Sequence, residues 1–100
     1  MLELNESTFS GAISADKPVV VDFYATWCGP CRAIAPRFKE WSQTHGEQAT
    51  FAKVNIDDAS QLAVEYNVNS IPTVILFKDG KESTRWLGLP PEKELLAAIG

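Results

Sequence analysis

Both cysteines of the chain fall in one five-residue stretch, Trp27-Cys28-Gly29-Pro30-Cys31. A structural disulfide stabilises by closing a loop, and a bridge between positions three apart constrains little chain. An inert bridge is therefore a weak reading. A structural zinc site needs four ligands, and the only other soft ligand is His45. On a helix rising ~1.5 Å per residue, His45 lies roughly 20 Å from Cys31. The remaining chemistry is thiol–disulfide exchange. Gly29 permits a tight turn, and Pro30 suits the first turn of a helix, where its missing N–H costs nothing. Cys28 then precedes the helix and Cys31 sits in its first turn. The unpaired N–H groups and positive dipole end stabilise a thiolate on Cys28, the form that attacks disulfides. Cys31, deeper in the helix, is expected to be the more buried and to remain a thiol until needed.

Around this pair the chain reads as alternating strands and helices. Leu2–Leu4 makes a brief edge strand. Asn5 or Ser7 caps a helix to about Ala15, with Phe9 and Ile13 on one face. The run PVVVDFYA from Pro18 to Ala25 is apolar on both alternating faces except at Asp22, the pattern of a central strand covered on both sides. The cysteine helix continues through RAIAPRFKEWSQTH, with Ile34, Phe38 and Trp41 as its apolar stripe, Pro36 inside it and Gly46 at its end. Thr50–Ile56 is a second central strand. Asp57 or Asp58 caps a short helix through Tyr66, and Pro72–Lys78 is a third strand. Asp79-Gly80 is a two-residue hairpin turn, and Lys81–Leu87 returns antiparallel. Pro90-Pro91 starts a last helix carrying Leu95, Leu96 and Ile99. The alternating part implies parallel strands with right-handed crossovers, to which the terminal hairpin adds an antiparallel strand. The fold class is α/β: one domain over residues 1–100, with a mixed sheet flanked by helices on both faces. Its site is expected at the carboxyl end of the parallel strands, where Cys28 and Cys31 fall.

With 100 residues, 45% of them hydrophobic, the chain has enough apolar side chains for a core. A net charge of −4 with no basic run gives no footing for nucleic acid or an anionic membrane. MLELNESTFS has no signal-peptide pattern, and no apolar run approaches a membrane span. These features lead to the expectation of a soluble cytoplasmic protein.

Asp22 shares a strand face with Val20 and Tyr24. Either it faces solvent, or it is a carboxylate buried beneath the cysteines, where burial raises its pKa and suits it to proton exchange. Lys53, the one charge within TFAKVNI, reads by itself as a surface lysine. Trp27 is either core or, beside a nucleophile, a contact for a partner.

WCGPC after a strand and opening a helix resembles the active site of the thioredoxin family. VVVDFYATWCGPC, Pro36, SIPT around Pro72, FKDGK and Gly88 follow that family's order and spacing along essentially the whole chain. The resemblance implies a protein-disulfide reductase in which Cys28 attacks, Cys31 resolves the mixed disulfide, Asp22 accepts a proton and Lys53 tunes its affinity. It implies a cis Ile71–Pro72 bond aiming the Ile71 backbone at a bound substrate strand. The substrate surface would be formed by Trp27, Gly29, Pro30, Ile71, Pro72 and Gly88, with Leu87 and Leu89 beside them. It further implies no bound cofactor and no metal, electrons from NADPH through thioredoxin reductase, and disulfide-containing proteins as partners. A monomer is expected, with a weak dimer through the Trp27 patch as the alternative. Two other readings stand beside this one. An oxidase or isomerase of the protein-disulfide-isomerase kind shares the cysteines, although Gly29-Pro30 resembles the reducing members. A binding module would use the fold as a scaffold. Trp86, Leu89 and Pro90-Pro91 depart from the family pattern; they either pack on the last strand or redirect partner choice. Arg32 replaces a lysine often found there and keeps its charge.

Overall fold

The computed structural model describes residues 1–100. Its elements are β1 (Leu2–Leu4), α1 (Phe9–Ile13), β2 (Val19–Tyr24), α2 (Gly29–Thr44), β3 (Thr50–Asn55), α3 (Ser60–Glu65), β4 (Thr73–Lys78), β5 (Lys81–Leu87) and α4 (Glu92–Ile99). They form one five-stranded sheet in the order β1-β3-β2-β4-β5. The order of elements is the one read from periodicity. One orientation differs from the simplest reading of the alternation. β1, β3 and β2 are parallel, but β4 runs antiparallel to β2, and β5, antiparallel to β4, runs again in the β2 direction.

Strand β2 lies at the centre because both of its faces are apolar. Val19, Val21 and Phe23 point to the side covered by α1 and α3, where they join Phe9, Ile13, Leu62 and Phe77. Val20 points to the other side, among Phe38 and Trp41 of α2 and Leu95 and Ile99 of α4. Phe9 anchors the first core, with ring centroids 5.3 Å from Tyr66 and 5.5 Å from Phe77. Tilted and edge-on pairs of this kind add to burial through ring quadrupoles.

Local signals explain most boundaries and three exceptions. The Asn5 carboxamide oxygen accepts the N–H groups of Ser7 and Thr8, capping a turn, so α1 itself is confined to Phe9–Ile13. Neither Asp57 nor Asp58 caps α3. Its N-cap is Ala59, and Asn55 Oδ1 accepts the Asp57 N–H one turn earlier. Pro91 is the N-cap of α4, and the helix begins at Glu92. The Asp79-Gly80 turn has positive φ at both residues, which matches the twist of its flanking strands. The end of α2 is closed by His45, whose Nε2 lies 2.8 Å from Glu92 Oε2 and ties α2 to α4.

Candidate active site

The carboxyl ends of β2 and β5 and the start of β4 meet at one edge of the sheet, since Thr73 pairs with both Phe23 and Leu87. The cysteines lie there. Cys28 is the N-cap of α2, and Cys31 is in the first turn behind Pro30. The two are disulfide-bonded, with Cα atoms 5.2 Å apart. Cys28 Sγ accepts the Cys31 backbone N–H at 3.2 Å, so an otherwise unpaired donor of the helix terminus points at the sulfur. That donor and the helix dipole would stabilise a thiolate at Cys28 once the bridge opens.

Burial distinguishes the cysteines less than expected: Cys28 is 5% exposed and Cys31 3%. Ring closure tucks the Cys28 sulfur under the helix terminus and 3.8 Å from the Ile71 carbonyl oxygen. What separates the two is their neighbours. Cys28 faces the Ile71-Pro72 segment. Cys31 lines a cleft of about 200 Å³ with Asp22, Tyr24, Arg32, Ala35 and Lys53.

Asp22 is buried, and its Oδ1 has no hydrogen-bond partner. Of its two sequence readings, the buried one is found. Desolvation pushes its carboxyl up to about 7, while the positive charge of Lys53 pulls the other way. Lys53 stands opposite Asp22 in the β2–β3 register. Its ammonium, however, makes its ion pair with Glu3, 3.6 Å from Oε1, and stands 5.2 Å from the centre of the Tyr24 ring.

The Ile71–Pro72 bond is cis, and Pro72 is buried directly before β4. The Pro72 carbonyl accepts the Gly88 N–H at 2.9 Å, bringing the glycine beside the same segment. Gly88 has φ +86°, a conformation open to glycine, and nothing lies within 4 Å of where a Cβ would stand. Gly29 and Pro30 are exposed beside Cys28. Trp27 is 66% exposed and so is not part of the core. Leu87 is exposed as well. Trp86 and Leu89 instead pack against the α2–α4 core, and the Trp86 indole N–H donates to Glu94 Oε1 at 2.9 Å.

Three residues at the site were not singled out from the sequence. Asp57 Oδ2 accepts the Trp27 indole N–H at 2.8 Å. The Tyr24 hydroxyl donates to the Glu3 carboxylate, 3.0 Å from each oxygen. Tyr24 carried a signal, since period two puts it on the Asp22 face. Glu3 carried none until the edge strand was placed in register.

The sequence model of the thioredoxin family matches residues 1–100. The chain belongs to the thioredoxin family. A thioredoxin of Alicyclobacillus acidocaldarius subsp. acidocaldarius is 41% identical over 98% of this chain and 93% of its own length. A structure described as a Plasmodium falciparum thioredoxin superposes with a TM-score of 0.87 and 34% identity, covering 99% of this chain and 96% of that one. A bifunctional thioredoxin reductase/thioredoxin of Mycobacterium leprae is 43% identical over 90% of this chain, which spans 20% of that protein. Thioredoxins are protein-disulfide oxidoreductases. This chain, with its Cys28–Cys31 pair at the start of α2, is a dithiol–disulfide oxidoreductase of that family. No group of three or more His, Cys, Asp or Glu side chains is arranged to hold a metal ion, and no helix is long and apolar enough to cross a membrane.

Proposed function

We propose that the chain, acting as one domain, reduces disulfides in other proteins by a two-step exchange with divided roles. The Cys28 thiolate attacks one sulfur of a substrate disulfide. An S–S bond forms between Cys28 and the substrate, and the other substrate sulfur leaves as a thiolate that takes up a proton. Cys31 then gives its proton to the Asp22 carboxylate across the cleft and attacks Cys28 Sγ. The Cys28–Cys31 disulfide closes, and the second substrate sulfur leaves as a thiolate that takes up the proton Asp22 returns. Two electrons have passed from the protein dithiol to the substrate. Trp27, Gly29, Pro30, Ile71, Pro72 and Gly88 form the surface on which the substrate strand lies, with Ile71 offering its backbone. Lys53 tunes the proton affinity of Asp22.

The observation that carries this reading is the shared cleft: Cys31 and a buried Asp22, its Oδ1 without a hydrogen-bond partner, line the same space. A carboxyl held near neutrality by burial can both take and return a proton at physiological pH. The dithiol is regenerated by NADPH through thioredoxin reductase. The fusion of those two activities in the Mycobacterium leprae relative supports that route. A monomer in the cytoplasm is the setting this reducing role fits.

The test is NADPH consumption with a thioredoxin reductase and insulin, using wild type, Cys28→Ser and Cys31→Ser. Turnover is expected in the wild type alone. Cys31→Ser should trap a mixed disulfide through Cys28. Trapping through Cys31 in the Cys28→Ser variant, with none in the other, would reverse the roles.

A further inference from the structure

Two carboxylates compete for one ammonium across three strands. Glu3 of β1 is the register partner of Lys53 of β3, and Lys53 is the register partner of Asp22 of β2. Same-face neighbours on adjacent strands stand about 5 Å apart, so Lys53 can serve either acid. It serves Glu3. Its Nζ is 3.6 Å from Glu3 Oε1, whereas Asp22 has no ion-pair partner and a bare Oδ1. Tyr24 fixes the choice. Its hydroxyl holds both Glu3 oxygens at 3.0 Å, and its ring supports the Lys53 ammonium at 5.2 Å.

The other charged groups nearby are accounted for. Arg32 of α2 lines the cleft, but its guanidinium donates to the Thr26 carbonyl at 2.8 Å. Cys31 is the α2 group nearest the chemistry. Lys39 of α2 and the Met1 terminus border the outer side of Lys53, and Asp58, after β3, acts on Tyr24. From β4 the residue opposite Asp22 is the apolar Val74.

We propose that Glu3 is a positioning residue for the resolving step: with Tyr24 it holds the Lys53 ammonium in an ion pair on the β1 side, out of ion-pair range of Asp22, and thereby keeps the Asp22 carboxyl able to hold a proton. This rests on the reading of Asp22 as the proton acceptor for Cys31. The cause is electrostatic. A cation brought within a few ångströms of a desolvated carboxylate strongly favours its charged form. Glu3 is half exposed and keeps its hydration, so pairing Lys53 there avoids desolvating the ammonium. The direct influence of Glu3 on Asp22 is weak, because two strand spacings are about one Debye length at physiological salt.

The test uses Glu3→Gln, which removes the charge and leaves an oxygen for Tyr24. Asp22 is titrated by carboxyl-carbon NMR, and the resolving step is followed against pH by stopped flow. Both midpoints are expected to fall by on the order of one pH unit as Lys53 turns to Asp22. In a Lys53→Met background Glu3→Gln should produce no such fall. An unchanged Asp22 midpoint in Glu3→Gln, or an equal fall without Lys53, overturns the proposal. A merely structural role for Glu3 at the edge strand would move thermal stability and neither midpoint. Asp22→Asn separates the two ideas. If it leaves the pH profile of the resolving step unchanged, the proton-acceptor reading fails and this role for Glu3 fails with it. If it flattens the profile while Glu3→Gln moves nothing, only the Glu3 inference falls.

Discussion

The indole N–H of Trp27 donates to Asp57 Oδ2 at 2.8 Å, joining the residue before Cys28 to the turn after β3. The ring is two-thirds exposed, so apolar packing does not fix it, and the hydrogen bond to a carboxylate sets its orientation. Asp57→Ala should free the indole. With about 1 kcal/mol lost from a preorganised contact surface, KM for insulin is expected to rise on the order of fivefold while kcat holds. Coupled NADPH turnover and the Trp27 indole N–H resonance check this. An unchanged KM with a mobile indole would remove Trp27 from the substrate surface.

Asp22 gives a pH dependence of stability with a definite sign. Burial raises its carboxyl from 3.8 to about 7. Between those values the folded chain retains the proton and the unfolded chain has released it. Stability therefore falls as pH rises through this window, and the charged form is a full burden only above about pH 7. The penalty is at most on the order of 4 kcal/mol. Asp22→Asn should thus stabilise the protein by about 2–4 kcal/mol at pH 8 and by little at pH 4. Urea unfolding at the two pH values measures the difference. Equal effects at both would mean the carboxyl titrates normally.

Much of this site was legible because its residues announce themselves locally. Cys28, Gly29, Pro30 and Cys31 encode a helix start, and the apolar run around Asp22 marks a doubly covered strand. The parts that stayed hidden depend on long-range pairing. Glu3 becomes relevant to Asp22 only through the β1–β3–β2 register, and Asp57 becomes Trp27's partner only when the turn after β3 reaches the start of α2. The reversed direction of β4 is equally invisible to periodicity, which reports the faces of a strand and not its orientation. Trp86 and Leu89, partly buried, pack against the α2–α4 core.

Gly88 separates stability from docking. Its φ of +86° penalises any side chain, yet a Cβ there meets nothing within 4 Å. Gly88→Ala should cost about 1 kcal/mol through backbone strain alone. If a substrate strand passes close to this backbone, the added methyl also blocks it, and kcat/KM for insulin should drop more than tenfold, a loss beyond about 1.4 kcal/mol. Urea unfolding combined with coupled turnover distinguishes the two effects. A stability loss with normal turnover would exclude Gly88 from the docking surface.

Arg85 ties strand β5 to the segment leading into Ile71. Its guanidinium pairs with Glu82 through Nε at 2.6 Å and Nη2 at 2.7 Å, and it also donates to the carbonyls of Tyr66 and Asn67. Asn67 has φ +54°, a left-handed conformation that asparagine tolerates better than most residues. The pair is about one-third exposed, and solvent screening limits its worth. Arg85→Ala is expected to destabilise by about 1–2 kcal/mol, mostly through the lost fork of hydrogen bonds. Arg85→Lys should recover less than half of that, because a single ammonium cannot hold the carboxylate and two carbonyls in one plane. The functional consequence follows from sequence distance: Asn67 lies four positions before Ile71. Loosening the turn should raise KM for insulin in Arg85→Ala while leaving the rate of dithiol attack on a small disulfide unchanged. A variant with wild-type urea midpoint and wild-type KM would show that the turn holds its shape without Arg85.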